Sequence, residues 1–190
     1  MLTREQFIKA NYQKALNVTK GTGIFPETLL AMAVVESQGK GSDGNWYPGL
    51  GLVAREANNY FGIKASANWK GKTIPLPTPG DADKTSLFRV YDTFEDSLKD
   101  FVNFLKVNPR YKRAGVFSSQ DYPTQIVNIA RAGYAENPNY SSLITSVANK
   151  VKKLMADYIE PIKSNGKILP LLVTGLIITG YFIVKKMQTT

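Results

Sequence analysis

Neither cysteine nor histidine occurs anywhere in the 190 residues. The first absence excludes disulfides, thiol nucleophiles and cysteine-held metal sites. The second removes Ser-His-Asp triads and the commonest zinc ligand. No metal and no cofactor is expected, and any acid–base chemistry must rest on Asp, Glu, Tyr or Lys. Glycoside hydrolysis is one reaction that carboxylates can run alone. Acids are also the scarcer charge, 15 against 24 lysines plus arginines, which gives a formal charge of +9. That excess points to a polyanionic partner: nucleic acid, an anionic membrane or an acidic wall polymer. No nucleic-acid-binding motif accompanies it, so nucleic acid is not expected. At 43% hydrophobic and 21% charged residues the chain is apolar enough to fold, and its length suits one domain with a remainder.

What is present is organised around the stretch from Leu29 to Gly39. Pro26 suits a first helical turn, and Glu27 follows where an acid favours the helix dipole. Leu29, Leu30, Met32, Ala33, Val34 and Val35 are apolar with almost no polar break, which predicts a helix surrounded by protein. Glu36 closes the run, just before Gly39 and Gly41. A carboxylate at the edge of an apolar helix is partly desolvated, its pKa rises, and it can hold a proton near neutral pH as a general acid. A glutamate turned to water at a helix end is the alternative on periodicity alone.

Before this helix, Met1 to Ala10 lacks the long apolar core and small-residue cleavage site of a secretory signal. Thr3 with Gln6 three residues on reads as a capping box, and Phe7, Ile8, Tyr12, Ala15 and Leu16 form an apolar helical face ended by Gly21 and Gly23. After it, Gly39 to Gly51 is rich in glycine and aromatics and reads as a loop. Trp46 there, and Trp69 further on, are candidates to stack on sugar faces. A Pro-rich polar segment runs from Pro75 to Lys84. Ser86 to Tyr91 alternates as a strand, so a small two- or three-stranded sheet with its tip near Pro79-Gly80-Asp81 is expected. Asp92 or Thr93 caps the next helix, whose stripe is Leu98, Phe101, Val102 and Leu105. Asn108-Pro109-Arg110-Tyr111 breaks it. Further helices are expected over Gln120 to Ala132 and Tyr140 to Ile159.

Composition changes at Pro161. A short polar linker over residues 161–167 precedes residues 168–184, a run without a charged residue and followed by Lys185 and Lys186. As a helix that run spans roughly 25 Å, near the ~30 Å of a bilayer core. Residues 168–186 are therefore expected to be a transmembrane helix with the lipid bilayer as a partner, after a domain over residues 1–160.

Several pieces occur together in an order that resembles a known family. They are Val35-Glu36-Ser37-Gln38-Gly39, Ala57-Asn58-Asn59-Tyr60-Phe61-Gly62-Ile63-Lys64, Phe88-Arg89-Val90-Tyr91, Asn108-Pro109-Arg110-Tyr111 and Ala132-Gly133-Tyr134-Ala135. Over about residues 1 to 158 the chain resembles the peptidoglycan N-acetylglucosaminidases of glycoside hydrolase family 73, the flagellar and autolysin type. The resemblance implies a lysozyme-like α+β fold, with helices around a cleft and a small β-hairpin lobe. It implies hydrolysis of the β-1,4 bond after N-acetylglucosamine in peptidoglycan glycan strands. Glu36 matches the family's catalytic acid and Tyr134 a tyrosine beside it. Asn58, Phe61 and Gly62 match the motif lining the cleft.

The chain also departs from that pattern. Where the family continues Tyr-Ala-Thr-Asp-Pro, it reads Tyr134-Ala135-Glu136-Asn137-Pro138. Many members carry a second acid in the β-lobe, but residues 72–77 hold none, and the nearest candidates are Asp81 and Asp83 at the hairpin tip. Three readings stay open. If neither aspartate serves, the substrate's acetamido group can act as nucleophile. A lytic transglycosylase needs only the glutamate. A membrane-tethered module would bind wall glycan without cutting it. A phage lysin, or a protein carried in a virion with an internal membrane, is the setting that fits a wall enzyme without a signal, acting from the viral membrane or the host inner membrane and periplasm.

Overall fold

The computed structural model describes residues 1–78, 81–159, 163–164 and 167–168. The chain divides into two compact units, Met1–Met155 and Ala156–Thr190. The first is mainly helical with small β-hairpins, an α+β arrangement as expected.

Helix α1 (Arg4–Thr19) opens on the predicted capping box: Thr3 Oγ1 accepts from the Gln6 amide, and the Gln6 side chain accepts from Thr3 N. Its buried face differs from the expected one. Leu16 is exposed, while Asn11 and Thr19 are buried beside Phe7, Ile8 and Ala15. Both polar groups are tolerated because the helix satisfies them itself: Asn11 Nδ2 donates to Phe7 O (3.0 Å) and Thr19 Oγ1 to Ala15 O (2.9 Å). Helix α2 (Pro26–Glu36) has every residue from Thr28 to Val34 buried. It packs against α1 and against α6 (Tyr122–Arg131), which explains why it is apolar all round. Its start is held by Gln125, fully buried on α6. The Gln125 side chain accepts from Phe25 N (2.9 Å) and donates to Gly23 O (2.7 Å) and Val116 O (2.9 Å).

The stretch read as one glycine-rich loop contains more structure. Strands β1 (Gly39–Lys40) and β2 (Trp46–Tyr47) pair antiparallel, and a short helix α3 (Leu52–Ala57) follows. The β-lobe is longer than alternation indicated, because β3 (Thr73–Thr78) and β4 (Asp81–Arg89) pair across the Pro-rich segment. Pro75 and Pro77 are exposed, while Ile74 and Leu76 turn inward onto Val53 and Phe88; prolines are compatible with an edge strand of this kind. On the other side of β4, Arg89 N donates to Ile63 O (3.1 Å) and Ala65 N to Leu87 O (2.8 Å). Residues 63–65 thus lie along the hairpin base.

Helix α4 (Phe94–Val107) is capped by Thr93 and buries the predicted stripe. Asn108 ends it, but Pro109 at once begins the one-turn helix α5 (Pro109–Arg113), a first-turn use of proline that the reading of this motif as a breaker missed. Helix α7 (Tyr140–Ile159) follows the turn after α6, as expected. In the second unit, Lys163–Ser164 (β5) and Lys167–Ile168 (β6) pair antiparallel within the stretch read as a linker. Among the described residues no helix is long and apolar enough to cross a membrane. Beyond Ile168, the expected transmembrane run lies outside the described residues.

Candidate active site

Glu36 is the last residue of α2, and the chain turns sharply after it. Ser37 makes that turn rigid. Its buried hydroxyl donates back to Ala33 O (2.5 Å) and accepts from Gly49 N (2.8 Å), while its carbonyl accepts from Gly51 N (2.9 Å). At Gly39 a Cβ would stand 2.4 Å from the Leu50 backbone, so this crossing of chains needs glycine. The buried helix and the tied loop together fix where the Glu36 side chain leaves the backbone.

That side chain enters a groove of about 510 Å³ lined by Phe61, Gly62, Lys64, Arg110, Tyr134 and Tyr140, among others. Glu36 has exposed surface, yet its carboxylate is closely surrounded by protein. Both descriptions hold for an acid on the floor of an open concavity, where substrate reaches it from one side. Burial raises its pKa above the usual glutamate range, and a hydrogen bond from Tyr140 pulls it part of the way back. Tyr140 Oη donates to Glu36 Oε1 at 2.6 Å. No described residue hydrogen-bonds Oε2, the oxygen left for chemistry.

Tyr134 lies against Tyr140 with ring centroids 5.7 Å apart and edge-on to Phe101 at 5.7 Å, and Phe101 in turn stacks on Phe61 at 3.9 Å. A continuous aromatic wall thus runs from the core of α4 to the carboxylate. Burial pushes both phenols far up, with the negative charge of Glu36 adding to each. Neither ionises at working pH, so each is a hydrogen-bond donor rather than a base. Tyr140 was legible in the sequence only as the start of a helix. Its partner stands 104 residues away, and no local pattern records such a pair.

The Tyr140 bond has a measurable consequence. Tyr140→Phe removes a donor that favours the charged carboxylate, so the Glu36 pKa rises further. A general acid works below its pKa, so the alkaline limb of the kcat/KM profile moves to higher pH. The plateau rate falls by roughly 10- to 100-fold, since a hydrogen bond to a charged group contributes about 1.5–3 kcal/mol when the proton leaves Glu36. An unmoved limb would remove Tyr140 from the proton's surroundings.

The other sequence candidates fall in several places. Phe61 and Gly62 line the groove. Asn58 does not: it ends α3 at φ +50° and donates from Nδ2 to Tyr91 O (3.1 Å) and Asp92 O (3.3 Å). Its neighbour Asn59 is buried and bonds Ile63 N and O and Arg89 O. The pair therefore shapes the turn that presents Phe61 and Gly62. Trp46 is exposed on the β1–β2 hairpin, outside the groove lining. Trp69 is also outside it, with the Arg89 guanidinium 4.5 Å above its ring and its Nε1 donating to Lys72 O. Asp81 pairs with Lys84 (2.8 Å) and Asp83 is exposed. Both sit at the far end of β4, roughly 20 Å (Asp83) and 26 Å (Asp81) along the strand from Arg89 by strand rise. Among the residues lining the groove Glu36 is the sole acid. No described cluster of acids could hold a metal ion. A wider depression of about 640 Å³ between α6 and α7 is lined by Pro123, Val127, Arg131 and a set of Ser, Thr and Asn side chains, with no acid to do chemistry.

One carboxyl at the end of a buried helix, its pKa raised by burial, backed by phenol donors and open to a groove, is the equipment of a glycosidase that works by acid catalysis. The comparisons carry this further: residues 12–153 match the glucosaminidase family, described as mannosyl-glycoprotein endo-beta-N-acetylglucosaminidase, and the chain belongs to that family of glycosidases. It is 33% identical over 156 residues to the peptidoglycan hydrolase FlgJ of Vibrio parahaemolyticus, covering 79% of this chain and 48% of that protein. It is 28% identical over 148 residues to the exo-glucosaminidase LytG of Bacillus subtilis, covering 73% of this chain and 48% of that protein. The glycoside hydrolase domain of Salmonella typhimurium FlgJ superposes with a TM-score of 0.63 at 28% identity, over 83% of this chain and 93% of that one. The chain spans less than half the length of these two curated relatives.

Proposed function

We propose that this protein hydrolyses the β-1,4 bond after N-acetylglucosamine in peptidoglycan glycan strands, with Glu36 as the general acid. The observation that carries the reading is the Glu36 carboxyl itself, raised in pKa, open to a groove, and held by Tyr140 in a chain of the glucosaminidase family. The relatives named as peptidoglycan hydrolase and exo-glucosaminidase support the substrate. Glu36 Oε2 gives its proton to the glycosidic oxygen as the bond to the anomeric carbon breaks. The carboxylate left behind keeps the Tyr140 hydrogen bond. Tyr134, protonated and beside the acid, is placed to donate to the sugar. Phe61 and Gly62 form the adjacent floor.

The positive charge at the anomeric carbon must be met from the other face of the sugar. With Asp81 and Asp83 at the far end of β4, the substrate's own acetamido oxygen is the nucleophile at hand, and water then opens the resulting ring. The single acid in the groove also favours a second reading, a lytic transglycosylase, in which a sugar hydroxyl attacks instead. Mass spectrometry of borohydride-reduced wall digests separates them. Reduced N-acetylglucosamine at the new ends is expected. Reduced N-acetylmuramic acid would make it a muramidase, and anhydro ends a transglycosylase.

The domain organisation belongs to the same proposal: a catalytic domain over residues 1–160, a linker over 161–167 and a membrane anchor over 168–186. The uncharged run and its flanking lysines support the anchor. The enzyme then works on the wall from a bilayer surface. A chain ending at Ile162 should be soluble without detergent and still cut purified walls, while the full chain fractionates with membrane. Unfolding or aggregation on truncation would make the run part of the core. The phage or virion setting gains no support from the named relatives, which come from bacteria.

A further inference from the structure

Two cations line the groove that holds Glu36, and neither is neutralised. Lys64 is exposed on the strand-like segment that bridges to Phe88, and Arg110 follows Pro109 in the one-turn helix α5. Neither forms an ion pair among the described residues. Nor does either serve as counter-ion to Glu36, whose proton affinity is set by burial and Tyr140. Arg110 is also held in place. Its Nη1 donates to Gly133 O (3.1 Å), its Nη2 to Tyr111 Oη (2.6 Å), and its guanidinium packs 4.7 Å from the centre of the Tyr111 ring. Those bonds use two of five N–H donors. A fixed guanidinium and an ammonium that line one groove without ion-pair partners among the described residues are suited to recognising a carboxylate.

We infer that Lys64 and Arg110 select glycan that carries a carboxylate substituent, and that neutral N-acetylglucosamine polymers are the poorer substrate. This rests on the glycosidase reading of the same groove. In wall glycan the carboxylate has two sources: the lactyl group of a muramic residue whose peptide has been removed, or the stem peptide itself. Both cations line the groove that holds Glu36, so a sugar strand bound across the acid carries its charged substituent into the same positively charged lining.

The test compares three substrates: strands with stem peptides, strands stripped of them so that lactyl carboxylates are free, and stripped strands whose carboxylates have been coupled to methylamine. Wild type should show kcat/KM about tenfold higher on a carboxylate-bearing strand than on the methylamide strand. Lys64→Met should erase most of that preference. Lys20→Met, which removes the same charge outside the groove lining, should keep it. A preference for stripped over methylamide strands assigns the lactyl group. A preference for stem-bearing strands, with the other two equal, assigns the stem. Equal rates on all three, or the same change in both lysine variants, would overturn the inference while leaving the hydrolase reading intact. If nothing is cut, the hydrolase reading fails instead. Binding of the three strands to the Glu36→Gln variant, measured without turnover, then decides the charge preference by itself.

Discussion

Glu36→Gln should lose wall-cutting activity by a factor of at least ~100 while keeping its fold. Glutamine has the same shape, and its amide oxygen still accepts the Tyr140 hydrogen bond. What disappears is the proton for the leaving oxygen. Stability moves the opposite way. The Glu36 pKa is raised in the folded state, so its contribution is fully present below the ordinary glutamate range and is lost as pH rises through the folded value. The variant, with nothing to ionise, should therefore melt slightly higher than wild type above that window. Asp81→Asn and Asp83→Asn should each lose far less activity, since neither lines the groove. A Glu36→Gln protein that clears walls at nearly the wild-type rate would end the assignment. Collapse of activity in either aspartate variant, with structure intact, would show that the hairpin closes and brings a second carboxylate to the substrate.

The largest loss of stability is expected from Asp100→Ala. Asp100 on α4 receives Arg89 Nη1 at 2.7 Å and Tyr91 Oη at 2.6 Å, both on Oδ2. The side chains of Arg89 and Asp100 are each 13% exposed, and Arg89 Nε is already buried without a partner. Removing the carboxylate leaves a nearly buried guanidinium and a buried phenol unpaired, and breaking such a pair costs about 3–5 kcal/mol. That is a large share of the total stability of an ordinary domain, about 5–15 kcal/mol. The midpoint of urea unfolding should fall accordingly. Arg89→Met combined with Asp100→Leu should recover much of the loss, because no charge is then stranded. A midpoint close to wild type for Asp100→Ala would mean that Trp69 and the β-lobe hold Arg89 without its carboxylate.

The same residues show how far local pattern reached. Thr3 with Gln6, Pro26 at a first turn and Thr93 before α4 act within one helical turn, so neighbours in the chain specify them. The apolar run before Glu36 announced a buried helix because all its faces would meet protein. Leu16 was placed on the buried face but is exposed, while Asn11 is buried instead, because a helix can satisfy a buried polar side chain with its own carbonyls. A strand pairing with β4 before the turn was expected, but the length of the Pro-rich β3 was not legible, because its partner strand supplies the hydrogen bonds that its composition does not advertise. Asn58 was taken for a groove residue because it adjoins Phe61 and Gly62 in the chain, whereas its left-handed backbone turns its amide to Tyr91 and Asp92.

By itself the sequence determined which chemistry was possible. Without cysteine or histidine only carboxylates, phenols and amines remained, and the helix ending in Glu36 was written in consecutive residues. Only the tertiary structure decided what surrounds that acid. Tyr140, Tyr134, Arg110 and Lys64 come from four separate segments and line one groove with Glu36, and of these Tyr140 hydrogen-bonds the acid. A proton affinity is set by the neighbours within a few ångströms, and those neighbours exist as neighbours only after folding.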